Sequence, residues 1–237
     1  MSRGDHEEAQ QGCRTQRGPG PEVTRHGCQC AERAHRVGVR AAGTSARSRL
    51  LDAAEQLFYA HGINATGVDA VIEAAKVARM TFYRHFGGKD ALVAAYLQAR
   101  DARWRATVEE CVTAAGDNPA ARLLAVFDAL RTWHADPRFR GCSFANAAAE
   151  LTTPDHPARA VVTAHKRALR VRITELAGAT GHPAPDRLAD QLLLLIEGAT
   201  TTQALGTVSN AVDEAHAMAR DLVKAHTATP QNAGPLR

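Results

Sequence analysis

The chain has 237 residues, a formal charge of +4, 45% hydrophobic residues and 5% aromatic ones, enough to bury one sizeable core plus a small appended domain. The weak positive balance neither requires nor forbids a nucleic-acid partner. No stretch approaches the roughly 18 apolar residues that span a bilayer, the run Leu192 to Ile196 closes at Glu197, and the opening MSRGDHEEAQ has no apolar core behind its arginine, so a cytoplasmic protein is expected.

Residues 1–44 carry Gly, Arg, Gln, Pro and Cys without periodic apolar positions, and such a segment buries too little surface to offset the entropy of ordering. They read as a disordered arm whose arginines add weak phosphate attraction, or as a segment preceding the natural start. His26, Cys28, Cys30 and His35 cluster there, but His-x-Cys-x-Cys is not a usual zinc spacing, so no metal is assigned. Five scattered cysteines fit free thiols in a reducing compartment.

From residue 45 the pattern becomes helical. Leu50, Ala54, Leu57 and Phe58 recur at three- and four-residue steps, giving one apolar helix face that should stop at Gly62, a residue suited to a left-handed cap. A second helix is predicted from Thr66, which would act as N-cap, with Val68, Val71, Ile72 and Ala75 as its stripe. The chain turns again after Lys76 and Val77. In Ala78 to Phe86, Phe82 and Phe86 lie four apart as core residues, while Arg79, Thr81, Tyr83, Arg84 and His85 include donors for phosphates and base edges. Two helices joined by so short a turn, the second carrying such groups, read as a helix-turn-helix. Residues 45–89 hold six basic side chains (Arg47, Arg49, Lys76, Arg79, Arg84, Lys89) against four acidic ones (Asp52, Glu55, Asp69, Glu73), so placement matters more than sum.

The run Leu51-x-x-Ala-x-x-Leu-Phe58, then Gly62, Thr66, Val77, Thr81-Phe-Tyr83, His85-Phe86 and Lys89-x-x-Leu92, resembles the N-terminal domain of the TetR family of transcriptional repressors. The resemblance covers about a fifth of the chain. It implies that Tyr83 and Lys89 hold DNA phosphates, that Thr66 donates to a phosphate, and that His85 assists at the backbone. Arg79, Met80 and Thr81 would then face base edges, with Arg84 as a phosphate contact or a solvated charge. An arginine at the front of a recognition helix most often pairs with guanine, which makes Arg79 the main specificity residue. Four positions depart from the family pattern. Lys76 stands where a glycine usually ends the second helix and Ala78 where a serine often caps the third, each at a cost of about 1 kcal/mol; Ile72 and Met80 replace customary small residues.

Beyond Leu92 the helix runs on through Tyr96, Ala99 and Arg103 to about Cys111, and Gly116 to Pro119 breaks it. The remainder reads as all-α: Pro119 to Ala135, Ser143 to Leu151, Pro157 to Ala177, Asp186 to Leu205 and Ala211 to Ala225. In the fourth of these, Leu188, Leu192, Leu195 and Ala199 mark one face while Leu193, Leu194 and Ile196 fill much of the rest, so one side would meet the core and the other a second subunit. The small residues Gly198 to Thr202 would allow close helix approach. By the resemblance, this helix and the last one form a four-helix bundle with their copies.

The expected organisation is therefore a disordered arm (1–44), a helix-turn-helix domain (45–92), a helical ligand-binding and dimerisation domain (93–227) and a disordered tail (228–237). Trp133, Phe139, Cys142, Phe144, Glu150 and His165 are candidate ligand contacts, although each serves equally as packing. The stretch from Gly141 to Lys166 resembles a recurrent C-terminal subtype of the same family, and Asp155, His156 and His165 lack a short metal-ligand pair. No nucleophile elbow, phosphate-cradling glycine loop or His-Glu-x-x-His is present, so neither enzyme activity nor a cofactor is expected. The function implied is a homodimeric regulator that releases a palindromic DNA operator when a small molecule binds. The alternative is a helical ligand-binding or interaction protein whose DNA reading has decayed through Lys76, Ala78 and Met80.

Overall fold

The structure, a computed structural model, describes residues 45–225, which form nine helices and no strand. The metal-like cluster at His26 to His35 and the tail from 228 lie outside the described residues. The helices are α1 (Ala46–His61), α2 (Val68–Ala75), α3 (Arg79–Phe86), α4 (Lys89–Ala114), α5 (Pro119–His134), α6 (Ser143–Glu150), α7 (Pro157–Ala179), α8 (Pro185–Leu205) and α9 (Ala211–Ala225). No helix among the described residues is long and apolar enough to cross a membrane.

Local chemistry sets the starts. Ser45 caps α1 by accepting from Ser48 N at 3.1 Å, and Asn118 caps α5 by accepting from Ala121 N at 3.0 Å. Proline occupies the first turn of α5, α7 and α8, where its missing N–H costs no helical bond. His156 caps α7, its Nδ1 accepting from Ala158 N at 3.1 Å, while its Nε2 lies 3.3 Å from Asp90.

Two apolar cores divide the molecule. The first joins α1, α2, α3 and the start of α4 around Leu50, Phe58, Val71, Phe82 and Leu92, and it also takes Phe144 and Ala147 from α6 and Leu151 beyond it. The second fills the bundle of α5, α7, α8, α9 and the rest of α4 around Trp104, Phe127, Ile173, Leu188 and Leu192. The short α6 thus packs into the reader core while belonging by chain to the C-terminal half and lying against α7. Charge ties the two bodies as well. Glu55 of α1 is bridged to Arg100 at 2.8 Å and to Arg103, both on α4. The Arg100 guanidinium lies over the rings of Tyr59 (4.4 Å) and Trp133 (4.7 Å).

The two-sided character expected of α8 is present. Leu188, Leu192 and Ala199 are buried in the second core, joined by Ile196 and not by Leu195, which is only half-buried, whereas Leu194 is 73% and Leu205 70% exposed. Leu194, Gly198, Thr201 and Leu205 are all exposed and fall at steps of four, three and four, one stripe along the helix.

The bundle holds histidines that resist protonation. Burial pushes His134 down to about 4, and neither ring nitrogen has a hydrogen-bond partner; its ring lies against Phe139, tilted by 36°, with centroids 4.1 Å apart. Burial likewise lowers His165 and His216. An unfolded chain takes up protons at these positions below about pH 6.5, whereas the folded chain refuses them until lower pH. Their contribution is therefore complete above pH 6.5 and is lost as pH falls below it, down to about 4 for His134. Full burial would set His134 alone at about 3 kcal/mol, and its half-buried position reduces this to roughly 1 to 2 kcal/mol. Urea midpoints should fall between pH 7 and pH 4.5, and His134→Leu should flatten part of that slope.

Candidate nucleic-acid interface

The α1–α2 turn holds the first departure from expectation. Gly62 ends α1 with φ 93° and ψ 156°, outside the left-handed helical region and in a conformation essentially reserved for glycine. Thr66 neither caps α2 nor presents its hydroxyl outward. Its Oγ1 donates to Gly62 O at 2.7 Å and the residue is 4% exposed, so its one proton is committed within the turn. Gly67 is the N-cap instead, without a side-chain bond. Thr66 therefore shapes the turn rather than meeting a phosphate.

The α2–α3 turn keeps its geometry despite the unusual residues. Lys76 adopts φ 52° and ψ 53°, the left-handed conformation. Lys76 N donates to Glu73 O at 3.1 Å and Val77 N to Ile72 O at 3.3 Å, the paired bonds of a Schellman motif. Ile72 and Val77 supply the apolar contact that accompanies this motif, and both pack against the reader core. Ala78 is the N-cap of α3 and offers no side-chain bond. Lys76→Gly and Ala78→Ser should each raise stability by about 1 kcal/mol, read as melting-temperature gains of about 2 to 4 °C.

Helix α3 docks through Phe82 and Phe86, which are buried. That burial fixes what the helix shows to solvent: Arg79, Met80, Tyr83, Arg84 and His85 are exposed and Thr81 is half-buried. Met80 is 77% exposed, an apolar side chain held in water at the front of the helix. The Tyr83 ring stands edge-on to Phe82 at 5.1 Å and is 42% exposed. Arg79 is held further above its ordinary pKa, first by a hydrogen bond with Tyr83 and then by the charge of Asp69, whose Oδ1 lies 3.3 Å from its Nη1. An ion pair so exposed is weak, so a base edge or phosphate can displace Asp69. This tether has no local signature, because Asp69 meets Arg79 only through the fold of the α2–α3 turn.

Lys89 opens α4 with its Nζ 3.5 Å from Asn64 O, on the same side as the α1–α2 turn. That turn is gripped from the second half of the chain. Asn64 N donates to Glu150 Oε2 at 2.7 Å, Asn64 Nδ2 donates to Glu150 O at 3.0 Å, and the Arg140 guanidinium donates to Ala60 O. Tyr59 donates to Gly141 O at 2.9 Å and accepts from Arg140 N at 2.7 Å. The reader is thus mounted on the loop before α6 and on the end of α6.

The solved structure of SCO4454, a TetR-family transcriptional regulator from Streptomyces coelicolor, superposes with a TM-score of 0.68 at 32% identity over 77% of this chain and 96% of that one. The chain belongs to the TetR family of transcriptional regulators. Residues 50–96 match the tetR family of bacterial regulatory proteins, and residues 119–220 match the tetracycline-repressor-like C-terminal domain. The regulator TcmR of Streptomyces glaucescens is 34% identical over 84 residues, a stretch covering 35% of this chain and 36% of that protein. The reduced form of Escherichia coli NemR has the same fold, with a TM-score of 0.65 at 21% identity over 74% of this chain and 96% of that one. The chain is accordingly a DNA-binding transcriptional regulator of the TetR family.

The six candidate ligand contacts divide within this TetR fold. Cys142, Phe144 and His165 come together: Phe144 stacks on His165 at 3.6 Å, and Cys142 Sγ accepts from Lys166 Nζ at 3.4 Å. Trp133 lies elsewhere, edge-on to Trp104 at 5.6 Å with its Nε1 donating to Thr107 at 3.2 Å, and Phe139 covers His134. Glu150 stands apart from all five, at the reader mount.

Proposed function

We propose that this TetR-family chain is a homodimeric, ligand-responsive repressor that releases a palindromic operator when a small molecule binds its C-terminal part. The observation that carries the reading is the mounting of α3. Its buried Phe82 and Phe86 present Arg79, Met80 and Tyr83 to solvent, while Arg140 and Glu150 of the regulatory half hold the turn that seats the reader. A change around α6 moves the recognition helix with it. Arg79, Met80 and Thr81 are assigned to base edges, and Tyr83, Arg84, His85 and Lys89 to the phosphate backbone.

One eight-residue helix makes too few contacts for tight specific binding, so two copies about 34 Å apart must act together. The exposed stripe of Leu194, Gly198, Thr201 and Leu205 on α8, with Met218 exposed on α9, supplies a face for a second copy. A ligand then needs only unequal affinity for the two reader spacings, a coupling of about 1 to 3 kcal/mol.

Fluorescence anisotropy on the intergenic DNA beside the gene, against scrambled DNA and across a salt series, tests the reading. Arg79→Ala should weaken operator binding about ten- to a hundredfold and relax sequence preference. Lys89→Ala should weaken binding to all sequences and lower the salt slope by about one. Equal, unselective losses from both changes would remove Arg79 from base reading, and an absence of sequence preference in the unsubstituted dimer would sink the regulator reading.

A further inference from the structure

Beneath the reader mount lies a cleft of about 430 Å³ whose walls come from both halves of the molecule. Tyr59 and Gly62 enter from α1 and its turn, and Arg140, Ser143, Asn146 and Glu150 from the loop before α6 and from α6 itself. Its floor is apolar, with Phe58, Ile63, Tyr96 and Ala147 all nearly inaccessible, so the groups left to meet an occupant are mainly polar. Such a volume suits a small organic molecule.

Ser143 brings a buried polar group to the cleft. The residue is 5% exposed, and its Oγ has no hydrogen-bond partner. Burial raises the Tyr96 pKa, and Arg100 and then Ser143 offset it in part, so the Tyr96 hydroxyl is a neighbour of Ser143 without forming a full hydrogen bond to it. A buried, unmated hydroxyl costs stability unless something else satisfies it. Around it stand a cation and an anion with capacity to spare. Arg140 uses one guanidinium N–H on Ala60 O, out of five available. Glu150 uses Oε2 on Asn64 N and retains acceptor capacity on its other oxygen. Asn146 Nδ2 donates to Arg140 O at 3.1 Å, which leaves its carboxamide oxygen as a further acceptor.

We infer that this cleft is a binding site for a small carboxylate that also carries a hydroxyl or amino donor. The carboxylate is received by Arg140, the donor by Glu150 or Asn146, and Ser143 supplies a third contact. The occupant competes for the same two side chains that clamp the reader. Recruiting Arg140 away from Ala60 O, or Glu150 away from Asn64 N, loosens the mount and shifts the population of reader orientations. This inference rests on the ligand-responsive reading above and gives it a location between the two halves, apart from the Phe144–His165 and Trp104–Trp133 packing inside the bundle.

The test uses the full chain and four probes: L-lactate, L-malate, L-serine and L-glutamate, each up to about 10 mM, a range that detects millimolar affinity. Binding is read by calorimetry and melting temperature, and operator release by anisotropy. At least one probe should bind and weaken operator affinity about five- to 150-fold. Ser143→Ala should leave the melting temperature of the unliganded protein unchanged or higher, because it deletes an unmated hydroxyl, yet bind that probe about tenfold more weakly. Arg140→Gln should weaken probe binding further and reduce operator affinity without any probe. No binding by any of the four, or binding unaffected by both substitutions, overturns the cleft assignment. In either case the regulator reading stands while operator binding retains its sequence preference. Loss of that preference in the unsubstituted chain sinks the regulator reading, while probe binding to the cleft can still be measured.

Discussion

Replacing Asp101 by leucine should destabilise the protein by about 2 to 3 kcal/mol, measured as a fall in urea midpoint, because it strands the His165 N–H inside the bundle. Asp101 on α4 is 6% exposed and His165 on α7 is 5% exposed; Asp101 Oδ1 and His165 Nδ1 are 2.7 Å apart. Burial raises the Asp101 carboxyl pKa, but hydrogen bonds from Arg105 and His165 more than reverse that, leaving it below its ordinary value. Burial dominates at His165 and keeps the ring neutral. The pair is then an aspartate accepting the Nδ1–H of a neutral imidazole, and Arg105, which reaches the other carboxylate oxygen from the solvent side, supplies the balancing charge. Leucine removes the acceptor and leaves the imidazole N–H without a partner, and the Phe144 ring stacked on the imidazole face offers none. Asn preserves an acceptor and should cost only about 1 to 2 kcal/mol. The double change Asp101→Leu with His165→Phe should recover most of the loss, since two apolar groups leave no orphan. If the single leucine change proves neutral, the pair contributes nothing to holding α4 against α7.

What the sequence revealed and what it hid follow from the range of the interactions. Helix limits were legible because their signals are local: Gly116 and Pro119 separate α4 from α5, Pro157 opens α7 and Gly206 closes α8 in the left-handed region. The docking role of Phe82 and Phe86 was legible for the same reason, being a matter of spacing on one short helix. Lys76 was flagged as an unusual residue for a left-handed position, and it does adopt that conformation. Threonine is a good N-cap by type, yet Gly67 takes that place, because the turn from Ile63 brings the Thr66 hydroxyl back to the carbonyl of Gly62. The Asp101–His165 pair, the Glu150–Asn64 clamp and the cleft around Ser143 join residues more than sixty positions apart, and no periodicity announces such a meeting. Glu150 was named as a ligand candidate, but its partners in the reader turn had no sequence signature.

The clamp gives the second large effect, at Gly62. Gly62→Ala should cost about 2 to 4 kcal/mol, from two sources that a double substitution separates. The first is the backbone: φ 93° with ψ 156° is strained for any residue with a Cβ, at about 1 to 3 kcal/mol. The second is contact, since a Cβ there would stand 3.1 Å from Glu150 Oε2, the oxygen that accepts from Asn64 N. Relieving that approach means moving the carboxylate by a few tenths of an ångström, which lengthens the 2.7 Å hydrogen bond joining α6 to the reader turn. Glu150→Ala on its own removes the hydrogen bond and should cost about 1 to 2 kcal/mol. The double substitution should therefore cost less than the sum of the two single ones, leaving backbone strain and one lost bond without the steric conflict. Operator affinity distinguishes a mount from a mere packing contact. If the clamp positions α3, Glu150→Ala should weaken operator binding while the reader stays folded, because the two recognition helices then lose their fixed spacing. An operator affinity unchanged by Glu150→Ala would mean that Phe144, Ala147 and Leu151 hold the reader by apolar burial alone and that the polar clamp does not set its orientation.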